Sequence, residues 1–327
     1  MLLPLRERRA AVVTSRPALL ILRALGVGDL LTAVPAIRAI ARAFPAHYRV
    51  LAAPVFLAPL VSMCGGIDEV VDTAPLEPLD EHLSGLDVAV NLHGRGPQSH
   101  RIALATSPRR LIAFANDEIP QTRDFPQWRP DEHEILRWCR MLAESGIPAD
   151  PDDFEIGAPA GDARARGAIV IHPGAASESR RWPVPRWIEL CTRLQRAGHR
   201  IVLTGSGTEF RRCRAIAKAA HVPIDCVLAG HTDLADMARV IASARAVVCG
   251  DTGVAHIATA LRAPSVVLFG PMSPQHWGPR SLVRHRVIWR GTLGDPHAAS
   301  VDPGLASITV DEVAEELREL LRMPQAG

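Results

Sequence analysis

The stretch 18–40, ALLILRALGVGDLLTAVPAIRAI, decides the fold of the first half of this chain. It opens with an apolar run, ALLILRA, whose length and composition are typical of a buried strand. Two glycines, Gly26 and Gly28, then make a turn, and the apolar residues beyond it recur at helical spacing. The stretch therefore predicts a strand, a turn and a helix, with Asp29 directly after the turn.

The same alternation of apolar strands and amphipathic helices continues along the 327 residues, which is typical of parallel α/β folds. In the first half, strands are predicted near residues 18–24, 48–53, 68–71, 87–92 and 110–114. In the second half, strands are predicted near residues 167–172, 199–204, 226–228, 245–249 and 264–269. Between the two series, segment 147–167 loses periodicity and is rich in Pro, Gly, Asp and Ala, which predicts a linker.

This organisation predicts two doubly wound, Rossmann-like α/β domains that face each other. We divide the chain into a flexible N-terminal extension (1–17), a first domain (18–157), a second domain (158–308) and a terminal helix (309–327). Ligands of open α/β sheets bind at the carboxyl ends of the strands. A cleft between two such domains is therefore the expected functional site.

Composition and charge exclude some classes of function. No apolar run reaches the roughly 18 residues that a bilayer-spanning helix needs. The six cysteines form no CxxC pair, which favours reduced, buried thiols in a cytoplasmic protein over a zinc site. The formal net charge of +2 divides into −4 for residues 1–160 (16 Arg, 20 acids) and +6 for residues 161–327 (21 Lys and Arg, 15 acids). We expect an anionic ligand in the second half and no nucleic-acid partner.

A glycine-containing helix start in the second half is a candidate anion site. In VVCGDTGVAHIATAL (247–261), a strand runs through Asp251, Thr252 and Gly253 into a helix. The free backbone N–H groups of such a helix start bind anions, and His256 lies on the first turn. Asp251 and Thr252 are also good capping residues, so a simple capped helix is the alternative.

Two further loops that follow strands favour a nucleotide. In IHPGAASESRRWP (171–183), small residues allow the backbone to approach a phosphate, and Arg180 offers a guanidinium for bidentate contact. In LTGSGTEF (203–210), Glu209 is placed to take ribose hydroxyls. The alternatives are a solvated arginine pair in the first loop and a favourable helix-dipole position for Glu209.

Asp29 does not fit a dinucleotide-binding turn. The fingerprint G-x-G-x-x-G needs a third glycine at position 31, which is Leu31, and Asp29 would face the pyrophosphate. An acid at the carboxyl end of a strand, opposite an anion site, is better interpreted as a general base. A carboxylate that only caps the helix is the alternative.

Four segments together resemble a known family. They are GDLLTAVPAIRAI, HPGAASESRRWP, LTGSGTEF and GDTGVAHIATALRAPSVVLFGP, and in this order and spacing they resemble glycosyltransferase family 9, the ADP-heptose:lipopolysaccharide heptosyltransferases. The similarity covers roughly residues 18–323. It implies a GT-B fold, an acceptor in the first domain, a donor nucleotide in the second, and metal-independent, inverting transfer. It also implies that the terminal helix packs back towards the first domain.

The resemblance implies a role for individual residues. Asp29 matches the family's catalytic base, and Glu209 matches the acid that holds the ribose. The stretch NLHGRGPQSH (91–100) resembles the family's DLHGxxRS, with Asn91 in place of Asp. Arg180 stands where the family usually has a lysine, so the charge remains and its geometry changes. The other implied contacts are Gly174, Ala175, Ala176, Ser177, Asp251, Thr252, Gly253 and His256 for the donor, and Gly28, His93 and Arg95 for the acceptor.

The expected activity is transfer of a heptose from ADP-heptose to a hydroxyl of a glycan or glycolipid, such as the lipopolysaccharide inner core, with no metal or cofactor. The enzyme would be cytoplasmic and peripheral to the inner membrane face. Three alternatives stay open: a family member that uses another sugar nucleotide or a secondary-metabolite acceptor, a nicotinamide oxidoreductase, and a non-catalytic nucleotide-binding protein.

Overall fold

The computed structural model describes residues 16–162, 164–280 and 283–323. The chain divides into two compact units, with the junction between Phe154 and Glu155. This junction lies within the predicted linker and three residues before the domain boundary expected from sequence. Residues 1–15 of the expected N-terminal extension lie outside the described residues.

The first unit contains five parallel strands and their connecting helices. The strands are β1 (Ala18–Leu22), β2 (Tyr48–Ala53), β3 (Glu69–Asp72), β4 (Val88–Asn91) and β5 (Arg110–Ile112). The helices are α1 (Val27–Thr32), α2 (Val34–Ala43), α3 (Ala58–Cys64), α4 (Gln98–Ala105) and α5 (Glu134–Glu144). The strand order is β3-β2-β1-β4-β5, so the direction of the connections reverses between β1 and β4. Open α/β sheets bind ligands at such a switch point.

Local sequence explains the start of this unit. Leu19, Leu20 and Ile21 of β1 have no exposed surface, as expected for a parallel strand covered on both faces. The predicted helix after the turn is interrupted at Ala33, which separates α1 from α2. The interruption comes two residues before Pro35, whose ring and missing N–H do not fit within a continuous helix.

The second unit repeats this architecture with a different strand order. Its strands are β6 (Ile169–His172), β7 (Ile201–Leu203), β8 (Ala246–Gly250), β9 (Ser265–Leu268) and β10 (His285–Ile288). Its helices are α6 (Val184–Arg196), α7 (Phe210–Ala219), α8 (Leu234–Ser243), α9 (Gly253–Ala260), α10 (Pro274–Trp277), α11 (Pro303–Ser307) and α12 (Val310–Arg322). The order β10-β9-β8-β6-β7 puts the switch point between β6 and β8.

Two details of the second sheet differ from the sequence prediction. The strand predicted at 226–228 is wrong, because Val227 makes only a single bridge to Leu203 after a 3₁₀ turn at Ile224–Cys226. The unpredicted strand β10 forms the opposite edge of the sheet, where it pairs in parallel with β9.

The terminal helix α12 packs on the second unit. Thr309 caps it by accepting a hydrogen bond from the Glu312 N–H (3.3 Å). Its residues Val313, Leu317 and Leu320 are buried in the core that α6 and the strands of this unit share. Its apolar face is therefore covered within the second unit. Residues 324–327 lie outside the described part of the chain.

The structure also bears on the cysteines and on membrane insertion. All six cysteines are free thiols, and burial raises the pKa of Cys64, Cys191 and Cys213 to about 12. Within residues 16–162, 164–280 and 283–323, no helix has the length and apolar character to span a membrane.

Candidate active site

Asp29 lies at the carboxyl end of β1, beside the switch point of the first sheet. It is the third residue of α1, directly after Gly28, and its Oδ2 accepts a hydrogen bond from the Gly26 N–H (3.1 Å). The side chain nevertheless stays 29% exposed. The capping role and access for a reactant therefore coexist in this one carboxylate.

The loop after β4 lies on the other side of the same switch point. Leu22 of β1 pairs with Asn91 of β4, so the two strands end at the same level. The buried Asn91 accepts from the His93 N–H (2.9 Å) and donates to Ser99 Oγ (2.9 Å) and His100 Nδ1 (3.0 Å). Asn91 thus fixes the conformation of this loop through its hydrogen bonds.

His93 and Arg95, both expected at the acceptor, differ in their surroundings. Burial lowers the pKa of His93, the charge of Arg23 lowers it further, and the charge of Asp29 opposes both. His93 Nδ1 is buried and finds no hydrogen-bond partner among the described residues. Arg95 is exposed, and its carbonyl accepts from Asn116 Nδ2 (2.9 Å). The lowered pKa favours the neutral form of His93, and Asp29 lies close enough to oppose that effect through its charge.

Sequence reasoning missed the residues that support Asp29 from inside the unit. Arg23, only 1% exposed, donates from Nε to the Asp29 carbonyl (3.0 Å) and from Nη2 to Glu134 Oε1 (3.1 Å). Burial alone would raise the pKa of Glu134. The charges of Arg23 and Arg137, with hydrogen bonds from Arg23 and Trp138, outweigh it and lower that pKa. The only signal for Arg23 was a charged residue inside the apolar run ALLILRA.

In the second unit, Arg180 joins two of the predicted donor loops. Its Nη2 lies 3.1 Å from Asp251 Oδ2 and also donates to the Asp251 carbonyl. Asp251 is buried, so its carboxylate holds Arg180 in place. Because β6 and β8 are neighbours, this contact brings the loop 174–180 to the start of α9 at the switch point.

Gly174 and Glu209 also lie together. A Cβ atom on Gly174 would stand 1.9 Å from Glu209 Oε1, so only glycine leaves room for that carboxylate. Glu209 Oε2 accepts from the Ser206 N–H (2.8 Å) and Ser206 Oγ (2.9 Å). Burial lowers the pKa of His172, and the charge of Glu209 opposes that effect. The loops after β6 and β7 therefore share one fixed carboxylate.

The helix start at α9 has the geometry of an anion site. Thr252 is the N-cap residue, yet its hydroxyl makes no capping bond and has no hydrogen-bond partner among the described residues. Gly253 is the first residue of α9, and the His256 ring packs edge-on against Trp277 with the ring centroids 6.1 Å apart. The first N–H groups of α9 can donate hydrogen bonds to a phosphate here.

The remaining predicted donor residues have different surroundings. Ala175 is buried, and its carbonyl accepts from Arg181 Nε (2.9 Å). Ala176 is exposed. The Ser177 hydroxyl donates to the Pro296 carbonyl and lies 3.0 Å from Ser179 Oγ, so it already has internal partners. No three His, Cys, Asp or Glu residues in the described ranges are placed to hold a metal ion.

Comparison with known proteins identifies the family. The sequence profile of glycosyltransferase family 9 (heptosyltransferase) matches residues 125–297, more than half of the chain. The chain belongs to this family. Among curated relatives, lipopolysaccharide heptosyltransferase 2 of Escherichia coli (strain K12) is 31% identical over 237 residues, which cover 66% of this chain and 62% of that protein. The chain thus matches less than two thirds of that relative's length.

Solved heptosyltransferase structures share the fold. The structure of E. coli ADP-heptose lps heptosyltransferase II has a TM-score of 0.76 and 23% identity, over 93% of this chain and 98% of that one. TibC of enterotoxigenic E. coli, an iron-containing dodecameric heptosyltransferase solved with ADP-D-β-D-heptose, has a TM-score of 0.60 and 15% identity, over 94% and 76% of the chains. The sequence prediction of a GT-B fold is confirmed.

Proposed function

We propose that this protein is an inverting glycosyltransferase that moves a heptose from ADP-heptose to a hydroxyl of a glycan or glycolipid, with the lipopolysaccharide inner core as the favoured acceptor. The E. coli relative is named for lipopolysaccharide, and the two structural neighbours are named for or solved with ADP-heptose. We place the enzyme in the cytoplasm, peripheral to the membrane that carries the acceptor.

One observation carries this proposal. In a chain of this family, Arg180 ties the small-residue loop after β6 to the N-terminus of α9 at the switch point of the second sheet. A guanidinium beside free helix N–H groups suits the diphosphate of a sugar nucleotide. Glu209, held against Gly174, suits the ribose hydroxyls.

The mechanism follows from the carboxylate of Asp29 and from the anion site at α9. Asp29 removes the proton from the acceptor hydroxyl as that oxygen attacks the anomeric carbon of the donor. The bond from that carbon to the diphosphate oxygen breaks, and ADP leaves with the bonding electrons. Arg180 and the N–H groups of α9 stabilise the charge that develops on the diphosphate. A single displacement of this kind inverts the anomeric configuration.

Transfer without a metal is part of the proposal. Incubation with ADP-heptose and lipopolysaccharide from a heptose-deficient bacterium should release ADP and add one heptose to the acceptor. Since Arg180 and α9 supply the positive charge, EDTA should change the rate by less than about twofold. Mass spectrometry of the acceptor checks the transfer. Loss of activity in EDTA, restored by a metal salt, would overturn metal independence and leave the transferase assignment standing.

The donor base is tested by calorimetry with ADP and UDP. We expect ADP to bind more tightly, and Glu209→Gln to weaken ADP binding by about 10- to 100-fold, the range for a hydrogen bond to a charged group. Inorganic pyrophosphate has no ribose, so the variant should bind it as the wild type does. Tighter binding of UDP would instead favour the alternative of another sugar nucleotide.

A further inference from the structure

The guanidinium of Arg23 lies buried between the loops that follow β1 and β4. On the β1 side, it donates to the Asp29 carbonyl (3.0 Å), and its Nη2 lies 3.4 Å from Asp29 Oδ1 and 3.4 Å from Thr32 Oγ1. On the β4 side, Nη1 donates to the Leu92 carbonyl, next to His93. One side chain therefore fixes both edges of the switch point at which Asp29 stands.

Glu134 of α5 supplies the second negative charge beside Arg23. Its Oε1 receives Arg23 Nη2 (3.1 Å) and Trp138 Nε1 (2.8 Å), and its Oε2 receives Arg137 Nη1. The Arg23 guanidinium also stacks over the Trp138 ring, 4.8 Å from its centroid. Glu134 is buried and held on both oxygens, whereas Asp29 is partly exposed.

This division of charges matters for a general base. When Asp29 takes up a proton, it loses the charge that balances Arg23. A buried guanidinium without a counter-charge is unfavourable in free energy. The Arg23 side chain would therefore shift towards another hydrogen-bond acceptor. Because Glu134 remains ionised, Arg23 keeps a partner throughout the cycle and the loop of Asp29 keeps its geometry.

We propose that Arg23 is a positioning residue that orients the carboxylate of Asp29, and that Glu134 is the fixed counter-ion that holds Arg23 in place. This inference rests on the proposed function, in which Asp29 is the general base. Arg23 itself reaches no reactant, because its side chain is covered by the β1 and β4 loops and by α5.

The first measurement is the rate of ADP release from ADP-heptose with heptose-deficient lipopolysaccharide as acceptor. Arg23→Lys keeps the charge and loses the planar set of hydrogen-bond donors, so kcat should fall about 10-fold. Arg23→Met loses both the charge and the donors, so kcat should fall about 100-fold, as for a misplaced catalytic group. ADP affinity by calorimetry should stay within about twofold, because Asp29 and Arg23 lie in the other unit from the donor loops. The fall in kcat for Glu134→Gln should resemble that for Arg23→Lys.

A matched control separates positioning from general loss of an ion pair. Arg38 of α2 pairs with Asp153 (2.5 Å) and donates to the Cys64 carbonyl (2.8 Å) in the same unit. Arg38→Met should lower the melting temperature and leave kcat within about twofold of wild type. An equal loss of kcat in Arg38→Met and Arg23→Met would overturn the proposal.

The deciding experiment is a double-mutant cycle with Asp29→Asn. If Arg23 acts through Asp29, adding Arg23→Met to Asp29→Asn should slow the reaction by no more than about threefold further. If Arg23 has a purely structural role, the losses of activity in the two single variants should multiply in the double variant. That result would overturn the proposal. Arg23→Lys replaces Arg23→Met in the cycle if circular dichroism shows that the methionine variant is unfolded. Full activity of Asp29→Asn alone would overturn the base role of Asp29, and this inference with it, and would leave the transferase assignment standing. A slow Asp29→Asn beside fully active Arg23 variants overturns this inference only.

Discussion

Asp29→Asn is expected to slow transfer by about 10²- to 10⁴-fold, the usual cost of losing a general base. The affinity for ADP should stay the same, because the proposed donor loops all lie in the second unit. Asparagine has nearly the same shape, and its Oδ1 can still accept from the Gly26 N–H. The capping role of Asp29 is therefore preserved while its basicity is lost. Steady-state ADP release and calorimetry measure the two quantities.

Asp80→Asn is the matched control for this variant. Asp80 also accepts from a backbone N–H at the start of a helical turn, that of His82 (3.1 Å). The Asp80→Asn variant should transfer heptose at the wild-type rate. If a folded Asp29→Asn variant also does so, Asp29 only caps α1 and the base lies elsewhere. His93 is then the next candidate, since its lowered pKa favours a neutral imidazole that can accept a proton.

Local pattern carried most of the fold prediction. The run ALLILRA, a two-glycine turn and a helical repeat were enough for β1 and α1, because each is built from neighbours in sequence. Strand β10 (HRVI) was not predicted, since four residues with two charged or polar side chains show no strand period; it forms by pairing with β9. Residues 226–228 are apolar but make only one bridge. In both cases tertiary context decided the outcome over propensity.

The candidate site was predictable where it follows strand ends. Carboxyl ends of parallel strands share an edge within each sheet, so Asp29 in the first unit, and Glu209 and Thr252 in the second, could each be placed at that edge of their own sheet from the chain order alone. The Arg23–Glu134 contact joins residues 111 positions apart, and no periodicity marks it. From sequence, Gly174 is one of the small residues that let the backbone approach a phosphate. The structure gives a second reason for it, the carboxylate of Glu209, which local sequence could not show.

Gly174→Ala is expected to weaken ADP binding by at least about tenfold while the protein stays folded. The new Cβ would overlap Glu209 Oε1 at 1.9 Å and Cδ at 2.2 Å, so the carboxylate must swing away. It is the far end of a flexible side chain, and the backbone of Gly174 lies outside the left-handed region, so the strain is relieved by that movement alone. Calorimetry with ADP measures the loss, and a thermal melt measures stability.

Gly174 could act by leaving room for the Glu209 carboxylate or by contacting the phosphates directly, and further variants distinguish the two. Gly157→Ala is the control, because a Cβ there meets nothing within 4 Å; it should bind ADP normally. In the double variant Gly174→Ala/Glu209→Gln, ADP should bind about as weakly as in the weaker single variant, since both changes remove the same ribose contact. Pyrophosphate binding should be unchanged in Gly174→Ala. If pyrophosphate binding falls with that of ADP, the glycine serves the phosphates directly and Glu209 is not the group through which it acts.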